Sequence, residues 1–297
     1  MPNRSLSLYR SAIKSPESFK IYKYSLDEFM RFIKIQDYDA VTQLDTRTIQ
    51  AHLEDWIMHL TQKGLKSSSI KGKLSAVELF LDMNKVVFHK RITRKLIPSS
   101  DYIPGGDKPY TTEDIQKFLK STTKLRTKAM VLFFASTGMR PAVFVDPILR
   151  LEHIEEMPYR CKAVKVYDGS KQGYWGFLTP EASKALDQYL NSRKLNGEVL
   201  TSESPVFANF KKANQMKKNF HMSEKSAKQI MQRLIRTAGV ERIKQGNRYD
   251  KASVYGFRKR FNTILKLDND INSNIAEKLM AHKNGLDGDY LLSTYSI

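Results

Sequence analysis

At 297 residues and 41% hydrophobic side chains, the chain can bury one large core or two medium ones. Fifty Lys plus Arg against 31 Asp plus Glu leave a net charge of +19, more than the ~2–8 that solubility asks of a small domain and the footprint expected for a phosphate-rich partner. No apolar run approaches the ~20 residues that cross a bilayer and the N-terminus has no signal-peptide core, so an intracellular protein without a membrane partner is expected; a lone Cys161 excludes an intrachain disulfide and a thiolate metal cluster.

In chain order, Phe19, Tyr22, Leu26, Phe29 and Ile33 are spaced to lay an apolar stripe along one face of a helix over 15–35. A second helix is predicted from Asp45 or Thr46 as N-cap, using Ile49, Leu53, Trp56, Ile57 and Leu60 and closing near Gly64. His52 and His59, one heptad apart, read as packing or surface residues rather than ligands, and the histidines form no HExxH pair. A third helix follows Ser67-Ser68-Ser69 with Ile70, Leu74, Val77 and Leu81 inward. Its first turns hold Lys66, Ser68, Lys71 and Lys73, where free N–H groups and basic neighbours suit phosphate contact. A short fourth helix is expected near 86–97, carrying His89, Lys90, Arg91, Arg94 and Lys95. Residues 1–97 thus read as a small all-α bundle with 17 basic and 10 acidic residues, a net of +7, whose task is binding.

Residues 98–109 hold Pro98, Pro104, a Gly105-Gly106 pair and Pro109, which cannot continue a helix and mark a linker. Thr111 to Asp114 resembles a capping box opening a helix with Ile115, Phe118 and Leu119. The next helix, about 124–136, is very apolar and ends in Thr137-Gly138-Met139-Arg140, Gly138 serving as the left-handed cap. Residues 162–168 and 174–179 read as a β-hairpin with Lys171 at its tip. Thr179-Pro180-Glu181 opens a helix to about 193. Residues 208–228, with Lys211 and Lys212, read as a basic loop or arm; Ser223 to Ala238 reads as a helix. A helix over 254–267 is expected to bury Phe257, Phe261 and Ile264 and to project Arg258 from another face, and a short helix over Ile275–His282 precedes a loop from Gly285. The fold class expected for 110–297 is mainly α with a small antiparallel β-sheet.

Five motifs stand in a fixed order: Thr137-Gly138-Met139-Arg140, the Lys171 hairpin, Tyr255-Gly256-Phe257-Arg258, Leu279-Met280-Ala281-His282, and Tyr290. Their order resembles the tyrosine recombinase, or phage integrase, family, whose signature is an arginine after a Thr-Gly turn, a hairpin lysine, HxxR, LxGH and a tyrosine soon after. The resemblance covers about 20–295, and the wording around Tyr290 is most similar to integrases of archaeal mobile elements. It implies an α-helical core-binding domain over 1–97 and a catalytic domain over 110–297. The implied activity cuts and rejoins a double-stranded DNA attachment site through a 3′-phosphotyrosyl bond, with neither metal nor ATP, in a tetramer assembled on DNA from monomers. Arg140 and Arg258 would hold the non-bridging phosphate oxygens bidentately. Lys171 would protonate the leaving 5′ oxygen, His282 would donate to the phosphate or manage the tyrosine proton, and Tyr290 would be the nucleophile.

The chain departs from that pattern in places. Tyr255 stands where HxxR has histidine, Val143 where an acid is usual, and Tyr290 falls eight rather than nine residues after His282, with Tyr295 beyond it. Seven residues follow Tyr290, so a trimmed chain or a different assembly is also an expectation. Rival readings are a type IB topoisomerase-like nicking and resealing enzyme and a catalytically silent DNA-binding relative, the latter suggested by Tyr255 and Val143.

Overall fold

The computed structural model describes residues 4–99, 108–144, 147–170, 172–209, 221–245, 248–267 and 271–282. The chain divides into two units, Met1–Ile103 and Pro104–Ile297.

The first unit is built from α1 (Arg4–Ser11), α2 (Pro16–Phe32), α3 (Tyr38–Val41), α4 (Thr46–Gln62), α5 (Ser67–Met83) and α6 (Lys90–Lys95). Ser15 caps α2 by accepting from the Ser18 N–H, with Pro16 in the first turn. Asp45 caps α4 through the N–H groups of Arg47 and Thr48, and Gly64, at φ +73°, turns the chain beyond it. The expected apolar positions of α4 and α5 are buried against Leu26, Phe29 and Met30 of α2. Trp56 anchors this core, its ring edge-on to Phe29 at 5.1 Å; truncating it to alanine should cost about 3–5 kcal/mol.

The pattern missed α1 and α3, which are too short, at 8 and 4 residues, to show a repeat. Tyr9 of α1 is nonetheless fully enclosed, and its hydroxyl donates to the Ala76 carbonyl at 3.0 Å. The helix expected over 86–97 shrinks to α6, because Lys85 adopts φ +59° after α5 and His89 restarts the chain as a cap.

The second unit follows as α7 (Thr112–Lys120), α8 (Leu125–Thr137), β1 (Ile154–Glu156), β2 (Lys162–Val166), β3 (Tyr174–Leu178), α9 (Pro180–Leu195), α10 (Glu224–Thr237), β4 (Lys244–Gln245), β5 (Arg248–Tyr249), α11 (Tyr255–Leu267) and α12 (Ser273–Leu279). Thr111 and Asp114 form the expected capping box at 3.2 and 3.0 Å. The hairpin β2–β3 pairs Val166 with Tyr174 at its tip end, and β1 adds an antiparallel edge, Ile154 opposite Val164. Strands β4 and β5 form a separate antiparallel pair. The core is aromatic: Phe118, Phe133, Phe134, Phe144, Phe207 and Phe257 are all buried, with Val143 among them. The position where the resemblance leads one to look for an acid is thus enclosed in hydrocarbon.

Several expectations need correction. Lys225 and Lys228 belong to α10, not to an arm, since Ser223 caps that helix and Lys228 pairs with Glu224 at 2.5 Å. On α11 the inward face carries Phe257, Arg258 and Leu265, while Ile264 is 47% exposed. The helix is rotated from the purely apolar reading because the Arg258 guanidinium, rather than Ile264, is satisfied inside. The last helix closes at Leu279, so His282 lies on the turn after it.

Candidate active site

Helix α8 is apolar almost all round because it runs through the core, and its C-terminus delivers the first site residue. Gly138 adopts φ +59° and its N–H donates to the Phe134 carbonyl at 2.9 Å. A Cβ on Gly138 would lie 2.6 Å from the Phe261 ring, so α11 seats directly on this turn. On the other side, Gly176 of β3 has no room for a side chain because Met139 fills the space. Ser136 donates to the Phe177 carbonyl at 2.9 Å and accepts from the Thr179 N–H at 2.8 Å, fixing α8 to the hairpin. Arg140 leaves this clamped turn half-buried, with no carboxylate partner among the described residues.

Arg258 occupies the first turn of α11 and is 7% exposed. One Nη donates to the Gly138 carbonyl at 2.9 Å; the other donates to the Met280 carbonyl and lies 3.2 Å from His282 Nε2. Both carbonyls are uncharged and no carboxylate pairs with the guanidinium among the described residues, so its positive charge is oriented but not neutralised. Burial, and secondly the charge of Arg140, hold the guanidinium below its ordinary range. A pair of cations held together this way forms a site for an anion.

Met280 caps α12 at its C-terminus, and Ala281 takes φ +50°, a left-handed conformation that places His282 beside Arg258. His282 Nδ1 lies 2.5 Å from Glu277 Oε2, and Glu277 also binds the Lys266 ammonium at 2.6 Å. Those bonds, Lys266 first, hold the Glu277 carboxyl below its ordinary range.

Tyr255 opens α11 and is 46% exposed, near enough for its charge state to act on Arg258. Its backbone is braced by Tyr110, whose ring fills the space over Gly256 and whose hydroxyl donates to the Ser253 carbonyl at 3.0 Å. Tyr167 and Tyr174 bracket the hairpin turn with ring centroids 6.2 Å apart. Burial pushes Tyr174 up to about 12 and raises Tyr167 as well, against the opposing charges of Arg140 and Arg258. Sequence reasoning missed both tyrosines, though a tyrosine on either side of the Lys171 turn was a usable signal. It missed Glu277 and Lys266 too, because the left-handed turn at Ala281 brings Glu277 to His282 outside ordinary helix spacing.

The structure therefore brings Arg140, Arg258, His282 and Tyr255 together. Lys171, Tyr290, Tyr295, Lys211 and Lys212 lie outside the described residues.

In the first unit, Lys66, Ser68 and Lys71 are exposed around the start of α5, where Lys66 is the cap residue without a side-chain cap bond. Lys73 is instead paired with Glu28 and sits 5.4 Å over the Tyr24 ring. Arg91 is exposed, whereas Arg94 grips the buried Glu78 with two bonds, at 3.0 and 2.6 Å. Lys90, Arg91, Arg94 and Lys95 line an open concavity of about 520 Å³. No helix among the described residues is long and apolar enough to cross a membrane.

Known proteins resemble this chain in both of its units. Residues 109–286 match the phage integrase family, and residues 3–84 match the phage integrase N-terminal SAM-like domain. No curated protein sequence matches the chain. Among solved structures, a lambda integrase dimer bound to a COC' core site superposes with TM-score 0.64 at 12% identity, over 97% of this chain and 75% of that one. The Tn1549 transposon integrase in complex with transposon right end DNA gives 0.64 at 14% identity, over 94% and 92%. The XerH site-specific recombinase bound to its difH substrate gives 0.60 at 16% identity, over 93% and 75%. These likenesses are of fold. With both parts matched to the family, the chain belongs to the phage integrases, the tyrosine-type site-specific DNA recombinases.

Proposed function

We propose that this protein cuts and rejoins duplex DNA at a specific attachment site through a 3′-phosphotyrosyl bond to Tyr290. The observation that carries the reading is the buried, uncompensated positive charge of Arg258 beside Arg140. A phosphodiester under attack gains negative charge on its non-bridging oxygens, and two guanidiniums hold those oxygens without losing charge. Such preorganised donors are typically worth about 3–4 kcal/mol each in the transition state.

As the Tyr290 oxygen attacks phosphorus, its proton must leave, since a free tyrosine has a pKa of ~10. His282 Nε2 receives it, the Tyr255 hydroxyl serves as a hydrogen-bond donor, and Lys171 protonates the departing 5′ oxygen. The new ester conserves the energy of the broken bond, so rejoining to a second 5′ hydroxyl needs no nucleotide. Two duplexes carry four such centres, which implies a tetramer on DNA formed from monomers.

Exposed Lys66, Ser68, Lys71 and Arg91 would contact phosphates, with Lys211 and Lys212 adding to the grip. Arg94 and Lys73 would act from within their ion pairs with Glu78 and Glu28. The DNA complexes among the similar structures support duplex DNA as the partner.

The test is incubation in EDTA with supercoiled DNA carrying the element's presumed attachment site, quenching in SDS and probing for protein joined to a 3′ DNA end. A covalent band is expected, lost with Tyr290→Phe and kept with Tyr295→Phe. Arg258→Lys should lower it about 100-fold or more, because an ammonium cannot hold both carbonyls and the phosphate. Strand transfer between two sites separates a recombinase from a topoisomerase-like activity. Tight binding with no band would instead favour the silent relative that the half-exposed Tyr255 in place of histidine suggests.

A further inference from the structure

We propose that Glu277 is a positioning residue for this active site, its carboxylate fixing His282 in the Nδ1–H form with Nε2 turned toward Arg258 and the phosphate it would bind. The inference rests on the reading of Arg258 and His282 given above and adds to it a residue outside the five motifs.

Both the main chain and the side chain of His282 return to Glu277. The His282 N–H donates to the Glu277 carbonyl at 3.0 Å, and Nδ1 stands 2.5 Å from the carboxylate. The intervening left-handed residue, Ala281, with its N–H on the Lys278 carbonyl at 2.8 Å, makes that return possible. A carboxylate only accepts, so Nδ1 must carry the hydrogen. In a neutral imidazole Nε2 then has the lone pair, which agrees with its 3.2 Å approach to an Arg258 Nη, a group that only donates.

The carboxylate is anchored in turn. Lys266, from the last turn of α11, holds its other oxygen at 2.6 Å and is itself half-exposed, while the Glu277 side chain is 20% exposed. The order is Lys266, Glu277, His282, Arg258, running from the end of α11 back to its beginning through α12. Lys266 and Glu277 carry opposite charges, and the imidazole stands between that carboxylate and the guanidinium. When Nε2 takes the tyrosine proton, an N–H bond forms as the O–H bond breaks, and the imidazolium gains the Glu277 charge directly behind it. The proton returns along the same path when the phosphotyrosyl bond is broken. Val143, at the usual place of an acid, is buried in the aromatic core, and the carboxylate that His282 meets comes from α12.

Two readouts test the assignment. The first is the ¹⁵N spectrum of His282 in the free full-length chain. The wild type should show a protonated Nδ1 and a bare Nε2, Glu277→Gln should keep that pattern through its amide oxygen, and Glu277→Ala should shift toward the Nε2–H form. The second is the rate of covalent complex formation on the same attachment-site DNA. Glu277→Ala should slow it about 10- to 100-fold, by analogy with losing the carboxylate that orients a metal-bound histidine, with DNA affinity unchanged. Glu277→Gln, which preserves shape and folding, should fall between.

An unchanged His282 spectrum in Glu277→Ala, or an unchanged rate, would overturn the proposal. A wild-type chain that forms no covalent complex would sink the recombinase mechanism instead, and the histidine spectrum would still decide the role of Glu277.

Discussion

Replacing Gly138 with alanine should damage this protein through two separable effects. The left-handed φ of +59° costs an L-residue about 1 kcal/mol. The added methyl would also lie 2.6 to 2.8 Å from three atoms of the Phe261 side chain, closer than carbon atoms pack. Forcing a methyl into a filled core costs about 1–3 kcal/mol more. The total, about 2–4 kcal/mol, corresponds in a unit of this size to about 4–16 °C in Tm. Gly239→Ala is the matched control: φ is +61° and nothing lies within 4 Å of the new methyl, so only the conformational cost of about 1 kcal/mol applies. Calorimetry of the two variants beside the wild type gives the comparison, and Phe261→Leu should recover part of the Gly138→Ala loss. Equal losses at the two glycines would refute the steric argument and, with it, the claim that α11 is seated on the Arg140 turn.

The remaining predictions concern the rest of the site and the first unit. Ala281→Gly should raise stability by about 0.5–1 kcal/mol, since Ala281 occupies φ +50° without a reason of its own to be alanine; a lower Tm would count against the strain. Arg91→Ala should leave folding intact and reduce the salt slope of DNA binding by about one phosphate contact. Arg94→Ala should instead destabilise the first unit by about 1–3 kcal/mol, because Glu78, 1% exposed, would retain only Lys90 at 3.7 Å; denaturant titration of both variants tells the roles apart. Asp250 is buried, which alone would raise its carboxyl, but the N–H groups of Ile243 and Lys251 and the Lys108 ammonium hold it below the ordinary range. Glu277 is likewise depressed, so both favour the folded state above the usual carboxylate range of ~4 and lose that contribution as pH falls through their lowered values. Urea midpoints at pH 6 and pH 3 should therefore differ more in the wild type than in Asp250→Asn, and equal differences would contradict the assignment.

Much of this was legible in the chain itself, for reasons that can be named. Caps such as Asp45, Thr111 and Thr179 and the left-handed Gly138 are local devices, and each acts where the pattern placed it. The stripes of α4 and α5 were legible because one face of each is buried. Short elements such as α1, α3 and β1 were not, since a segment held by its neighbours carries no repeat of its own. Ile264 misled because periodicity ranks hydrocarbon above charge, whereas α11 turns Arg258 inward to reach carbonyls that no linear pattern displays. Lys73 and Lys71 look alike in sequence; whether a lysine faces solvent or a glutamate on another helix is a tertiary fact. Glu277 stayed hidden for the same kind of reason, its link to His282 depending on one backbone angle.

The way Arg258 is held has a consequence for how far this protein can diverge. Its anchors at Gly138 and Met280 are main-chain carbonyls, an acceptor that every amino acid supplies. Mutation can rewrite the side chains around them without removing the acceptors, provided the helix ends stay where they are. What selection must preserve is then the path of the backbone rather than a set of polar partners. A chain can thus share as little as 12 to 16% of its residues with the recombinases it superposes on and keep their fold.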